Sequence, residues 1–186
     1  MIVCGIDVST SCTGVVFYDN KKRLVVHQTM VKNPTKQPVG EYLARIRSHL
    51  CFILKQQKPD VVVLEELFIS FNKAAKAMLP IHGVVREAVF CTVGQECIGY
   101  PQQTWRSVLG IAPYSKAEKE KMKKKYKKKA EFKRQSDIKN KVIAYVNARL
   151  GTDYTYAQND MVDAVGLCLA WTDKDRMEDE AINGDD

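Results

Sequence analysis

The segment DVVVLEELF, residues 60 to 68, is apolar on both faces of an extended chain until its two glutamates. A strand with one solvated face alternates; one that is apolar on both faces has to be covered on both, which places it inside a sheet with helices above and below. The remaining segments supply that setting. MIVCGIDVS, VVFYD and LVVHQTMV read as three strands separated by the turns STSCTG and NKKR, which are too short for anything but an antiparallel meander. EYLARIRSHLCFILKQQ carries Tyr42, Leu43, Ile46, Leu50, Ile53 and Leu54 at helical spacing, with Pro59 at its exit. A second apolar helical stripe runs from Asn72 to about Phe90, ECIGY is a short fifth strand, and Pro101 opens a loop into QQTWRSVLGI. DIKNKVIAYVNARLG is a helix ended by Gly151, and QNDMVDAVGLCLAW is the last helix. The order β-β-β-α-β-α-β-α-α predicts an α/β fold: a five-stranded mixed sheet, three antiparallel strands extended by parallel ones across right-handed crossovers and flanked by helices.

At 186 residues the chain has room for one core, and a single domain over 1–172 is expected. Charge divides it further. Between Lys116 and Arg134 stand eleven Lys and Arg against three Glu, which is more than the whole net charge of +7. A Lys-rich insertion is therefore expected at about 114–134. From Asp173 onward seven acidic residues face two basic ones, and residues 173–186 read as an acidic, disordered tail. No run approaches the roughly 20 apolar residues of a membrane span, and the N-terminus lacks a secretory pattern, so an intracellular, cytoplasmic protein with no membrane partner is expected. The six cysteines form no CxxC pair, which argues against zinc and redox motifs.

Four carboxylates interrupt this apolar plan. Asp7 lies inside the first apolar strand, where an unpaired buried charge costs roughly several kcal/mol. Glu65 and Glu66 end the central strand, which in such a sheet lies beside the first; alternation turns only one of them toward Asp7, and an all-apolar strand does not say which. Asp160 and Asp163 open the last helix one turn apart, on one face. An Asp there can serve merely as a cap, and a nearby Lys or Arg could neutralise Asp7. Three elements meeting at one sheet edge with only oxygen ligands suit Mg²⁺ or Mn²⁺ better than zinc, and two such ions about 4 Å apart can clamp a phosphodiester.

With these residues in place, the chain resembles the RuvC-type Holliday junction resolvases of the RNase H-like superfamily. GIDVSTSCTGVVFYD is similar to the family's first strand and turn, LEELF to its pattern around the catalytic Glu, and NDMVDAVGLCLAW to its paired aspartates. FNKAAKAMLPIHGVVREAVF and QQTWRSVLGI fall in the family's order between them. The resemblance implies a Mg²⁺-dependent endonuclease, two ions per site with Mn²⁺ as substitute, that cuts four-way and related branched DNA by paired symmetric nicks to leave 5′-phosphate and 3′-hydroxyl ends. It implies Asp7, Glu65, Asp160 and Asp163 as catalytic and metal-binding residues, a homodimer, and a bacterial or bacteriophage source. Phe68 falls where the family stacks an aromatic on a base, although a core Phe would look the same. Lys73, Lys76, Arg106, Lys133 and Arg134 are candidate DNA contacts. So are Lys123, Lys124, Lys125, Lys127, Lys128 and Lys129, in a run longer than the bacterial pattern, for which a flexible solvated loop or a targeting signal is the bland alternative. His82 and Gly83, mid-way along the second helix, mark the expected dimer interface.

Rival readings are fewer. Actin-like ATPases and sugar kinases share the Gly-Ile-Asp start, but need a glycine-rich second phosphate loop that a chain with 10 scattered glycines lacks. A YqgF-like nuclease of structured RNA would share the fold and much of the site; the Phe after Glu65 favours the resolvase. A non-catalytic branched-DNA binding protein would be expected to have lost a ligand, and all four are present.

Overall fold

The computed structural model describes residues 1–32, 38–67 and 73–183, with the side chains of 73–75 and 176–183 left aside. Strands β1 (Ile2–Val8), β2 (Cys12–Asp19) and β3 (Leu24–Lys32) form the expected meander, and β4 (Val61–Glu66) and β5 (Ile98–Pro101) extend it. The order across the sheet is β3-β2-β1-β4-β5, with β1, β4 and β5 mutually parallel and β1–β2 and β2–β3 antiparallel. The β1–β2 turn is tight because the Ser9 hydroxyl accepts from the backbone N–H groups of Ser11 and Cys12.

Both faces are covered, as the double apolarity of β4 requires. On one side Cys4, Ile6, Val62 and Leu64 pack under α1 (Val39–Gln57) and α2 (Lys73–Val93), which turn Ile46, Leu50, Val85 and Val89 toward the sheet. The left-handed Lys58 closes α1, its N–H bonding Leu54 O at 2.9 Å. On the other side Val3, Val16 and Val63 pack under α6 (Asn159–Asn183), supported by α3 (Gln102–Val108) and α5 (Ala130–Leu150). Apolar side chains on α6 at Val162, Val165, Leu169 and their neighbours are almost wholly buried.

Three segments differ from the sequence reading. Residues 102–108, read as a loop, are helical, because Trp105 and Leu109 lie one turn apart and both reach the core. The Lys-rich segment is a helical hairpin in which α4 (Lys116–Tyr126) starts at a reciprocal Ser115–Glu118 capping box and turns back through Lys127–Lys129 into α5. Lysine is a good helix former, so a solvated run can be helical without burying anything, and no residue of α4 is buried. The acidic segment from Asp173 is a continuation of α6 to Asn183, tied down at its start by Arg149 Nη2 donating to Asp173 at 3.0 Å.

Candidate active site

β1 and β4 are paired through Gly5–Val63 and Ile6–Leu64, so the next residues along them, Asp7 and Glu65, stand abreast. The pleat then separates the two glutamates. Val3 and Val63 face α6, so Asp7 and Glu65, in phase with them along each strand, do too; Glu66 is in phase with Val62 and Leu64 and turns toward α1 and α2.

From above, α6 contributes Asp160 and Asp163. Its first turns rest directly on the sheet because β1 and β2 offer no side chain beneath them: a Cβ on Gly5 would lie 2.2 Å from Ala164 O. Helix α3 wedges in from the side, where the indole of Trp105 occupies the space left open by Gly166. Trp105 Nε1 and Gln102 Nε2 both donate to Glu65, at 3.1 and 2.8 Å, one to each carboxylate oxygen.

The carboxylates feel one another. Burial, then Glu65, Asp163 and Asp160 in that order, push the Asp7 carboxyl well above its usual range, with Lys139 opposing. Glu65 is pushed up to about 7 by burial and by Asp163, against Arg106 and its two hydrogen bonds. Asp163, only 4 % exposed, is raised by burial despite Arg106 and Lys139. Those two cations are the local counter-charge: Arg106 Nη2 stands 3.6 Å from Asp163 Oδ2, and Lys139 Nζ stands 3.9 Å from Asp160 Oδ1 while donating to Asn159. Arg106 also lies over the Trp105 ring at 5.0 Å, and its Nε is buried with no hydrogen-bond partner among the described residues.

As the side chains stand, no three His, Cys, Asp or Glu groups among the described residues are drawn tightly enough together to hold an ion. The donor chemistry nevertheless fits one. Asp7 is 7 % exposed, and among the described residues it makes no ion pair or side-chain hydrogen bond; the three groups whose charge pushes its carboxyl up are carboxylates, hard oxygen donors of the kind that Mg²⁺ takes.

The expected DNA contacts divide. Arg106 is at the carboxylates rather than on the surface. Lys123, Lys124, Lys125, Lys127, Lys128 and Lys129 are exposed along the α4 hairpin, and Lys76 is exposed on α2. Lys133 is paired with Asp137 at 3.0 Å and Arg134 with Glu131, so part of that charge is compensated. Phe68 lies outside the described residues, as does the side chain of Lys73. Sequence reasoning missed Gln102, Trp105 and Lys139. For Trp105 the i, i+4 spacing to Leu109 was a usable signal; Lys139, one cation among many, offered none.

No family model matches the chain. Among curated proteins it is 30 % identical over 124 residues to the crossover junction endodeoxyribonuclease RuvC of Desulforamulus reducens, covering 64 % of this chain and 74 % of that one. The chain belongs to the RuvC family. The RuvC of Koribacter versatilis is 29 % identical over 123 residues, covering 64 % of this chain and 72 % of its own. Among solved structures, Thermus thermophilus RuvC in complex with a Holliday junction superposes with a TM-score of 0.72 at 20 % identity, over 95 % of this chain and 96 % of that one. A second structure of Thermus thermophilus RuvC gives 0.71 at 21 % identity, over 96 % of this chain and 97 % of that one. The RuvC fold thus extends over nearly the whole chain.

Proposed function

We propose that this RuvC-family chain is a divalent-metal-dependent endonuclease that resolves four-way DNA junctions by paired symmetric nicks, with Asp7, Glu65, Asp160 and Asp163 as its metal-binding catalytic carboxylates. The reading rests on one observation: three elements bring four carboxylates to one sheet edge, and two of them, Asp7 and Asp163, are buried at an electrostatic cost that a bound cation would relieve. Mg²⁺, or Mn²⁺ in its place, would activate water and neutralise charge building on the phosphate. The protein's own groups do the rest. Gln102 and Trp105 fix both oxygens of Glu65. Arg106 and Lys139 hold the carboxylates' charge in check and stand ready to meet the phosphate oxygens of an incoming strand. The hairpin lysines would guide duplex arms toward the site.

Two matched cuts call for a symmetric dimer. His82 is buried within its own chain, but Gly83 is open, and Leu79 and Phe90 on α2 with Phe52 on α1 are large exposed apolar groups that a second copy would cover. Wild type and Asp7→Asn, each given a labelled four-way junction and a linear duplex with Mg²⁺ or chelator, test the proposal. Symmetric nicks in the junction alone, lost with chelator and in the variant while binding persists, are expected. Tight binding without cleavage under any divalent ion would leave a branched-DNA binding protein, and no preference for the junction would favour structured RNA.

A further inference from the structure

Cys12 opens β2 and is buried. It is in phase along the strand with Gly14 and Val16, and Val16 packs under α6, so the pleat turns Cys12 to the face that carries Asp7. Gly14 pairs with Asp7, which makes Cys12 the diagonal neighbour of Asp7 across the β1–β2 ladder. Above them α6 runs the same way as β2: the backbone of Asp160 rests on Gly14, and that of Ala164, one turn later, rests on Gly5, whose partner is Val16. Helix side chains tilt toward the N-terminus, so Asp160 leans toward the Cys12 end of β2. Burial, then the charges of Asp160 and Asp7, push the Cys12 thiol up, with Lys32 opposing. One thiol and two carboxylates thus share a space.

Such a set differs from an all-oxygen one. A thiolate is a soft ligand that favours Zn²⁺, whereas Mg²⁺ takes hard oxygens and gains nothing from sulfur. We infer that Cys12, with Asp7 and Asp160, gives this edge of the site a second ligand set, one that takes a thiophilic divalent ion of the Zn²⁺ class and competes with Mg²⁺ for the same two carboxylates. The inference rests on the reading of Asp7 and Asp160 as metal ligands. The thiol does not stand alone: Asp7, 7 % exposed, faces the same space and makes no ion pair or side-chain hydrogen bond among the described residues. As the side chains stand, no three such groups among the described residues close on one point. Asp160, however, lies in the first turn of α6, partly exposed and 3.9 Å from Lys139, and is free to turn from that loose pair toward the thiol. The thiol proton leaves to solvent as the ion arrives. Zn²⁺ held there occupies Asp7 and shuts Mg²⁺ out, which makes the site sensitive to free zinc.

Co²⁺ alone, titrated into the full chain without DNA, is the first probe, because a thiolate on Co²⁺ gives a strong near-ultraviolet charge-transfer band that carboxylates do not. Wild type should show that band. Cys12→Ser and Cys12→Ala should abolish it and weaken Zn²⁺ binding in equilibrium dialysis by about tenfold or more, while the rise in melting temperature with Mg²⁺ persists. Asp7→Asn should weaken the band as well, and Cys91→Ser, which removes an exposed thiol elsewhere, should leave it intact. No band in wild type, a band that survives loss of Cys12, or one indifferent to Asp7→Asn overturns the inference. X-ray absorption at the zinc edge needs no substitution. Wild type loaded with a single equivalent of Zn²⁺ should show one sulfur among oxygen ligands; oxygens alone, or more than one sulfur, overturn the inference. None of these readouts depends on cleavage. A chain that binds Co²⁺ through Cys12 and Asp7 yet never nicks a junction would sink the nuclease reading and leave this site standing, and one that nicks junctions with Mg²⁺ but shows no band would do the reverse.

Discussion

Gly14 pairs with Asp7 in the sheet and also seats Asp160: a Cβ added to it would lie 2.6 Å from the Asp160 carbonyl oxygen. One missing methyl therefore sets the height of two carboxylates relative to each other. Gly14→Ala must lift the start of α6, because the atom it meets is backbone and cannot swing away. A destabilisation of about 1–3 kcal/mol is expected in urea titrations, with junction cleavage lost more steeply than stability. A variant with wild-type cleavage would mean that α6 can shift at no cost to the site.

Without metal, the carboxylates should make the fold more stable in mild acid. Asp7, Glu65 and Asp163 all hold their protons more tightly folded than unfolded. For an acid with a raised folded pKa the native state binds more protons, so its contribution to stability falls as pH rises from the unfolded value of about 4 toward the folded one. Glu65, raised to about 7, would contribute up to about 3 kcal/mol of this loss. Urea midpoints in chelator should fall between about pH 4.5 and 7, and Glu65→Gln should flatten the fall. Adding Mg²⁺ should reverse the trend, since the ion competes with the protons and its stabilisation grows with pH. The same slope in Glu65→Gln as in wild type would remove Glu65 from the cluster.

Much of this was legible in the sequence. The doubly apolar β4 placed the sheet between two helical layers, and the meander set its antiparallel edge. The choice between Glu65 and Glu66 was not readable from an all-apolar strand, because the register with β1 decides it and register is a tertiary fact. Gly5 and Gly14 looked like ordinary strand and turn glycines; their meaning appears only once α6 lies on them. The helical hairpin escaped notice because α4 buries nothing, and apolar periodicity is the signal by which helices are read.

The hairpin lysines should act through phosphates and little else. Changing Lys123, Lys124 and Lys125 to Gln removes exposed charge from a helix with no buried residue, so the melting temperature should hold within about 2 °C. The log–log salt dependence of junction binding should flatten by about 0.9 for each phosphate that is no longer neutralised. An unchanged slope would mean that these three lysines neutralise no phosphate.

Trp105 is both a core residue and a hydrogen-bond donor to Glu65, and the two roles predict different things. It is fully buried against Gly166, so Trp105→Phe leaves a gap and costs stability whatever its part in chemistry. The indole N–H, however, holds the Glu65 carboxyl down, as does the Gln102 amide. Losing either donor raises the Glu65 pKa further, so the acidic limb of the cleavage pH profile should move to higher pH in Trp105→Phe. Gln102→Leu should move it the same way with little loss of stability, because Gln102 is exposed. If stability falls in the first variant while neither profile moves, α3 serves the core alone and Glu65 is positioned by something else.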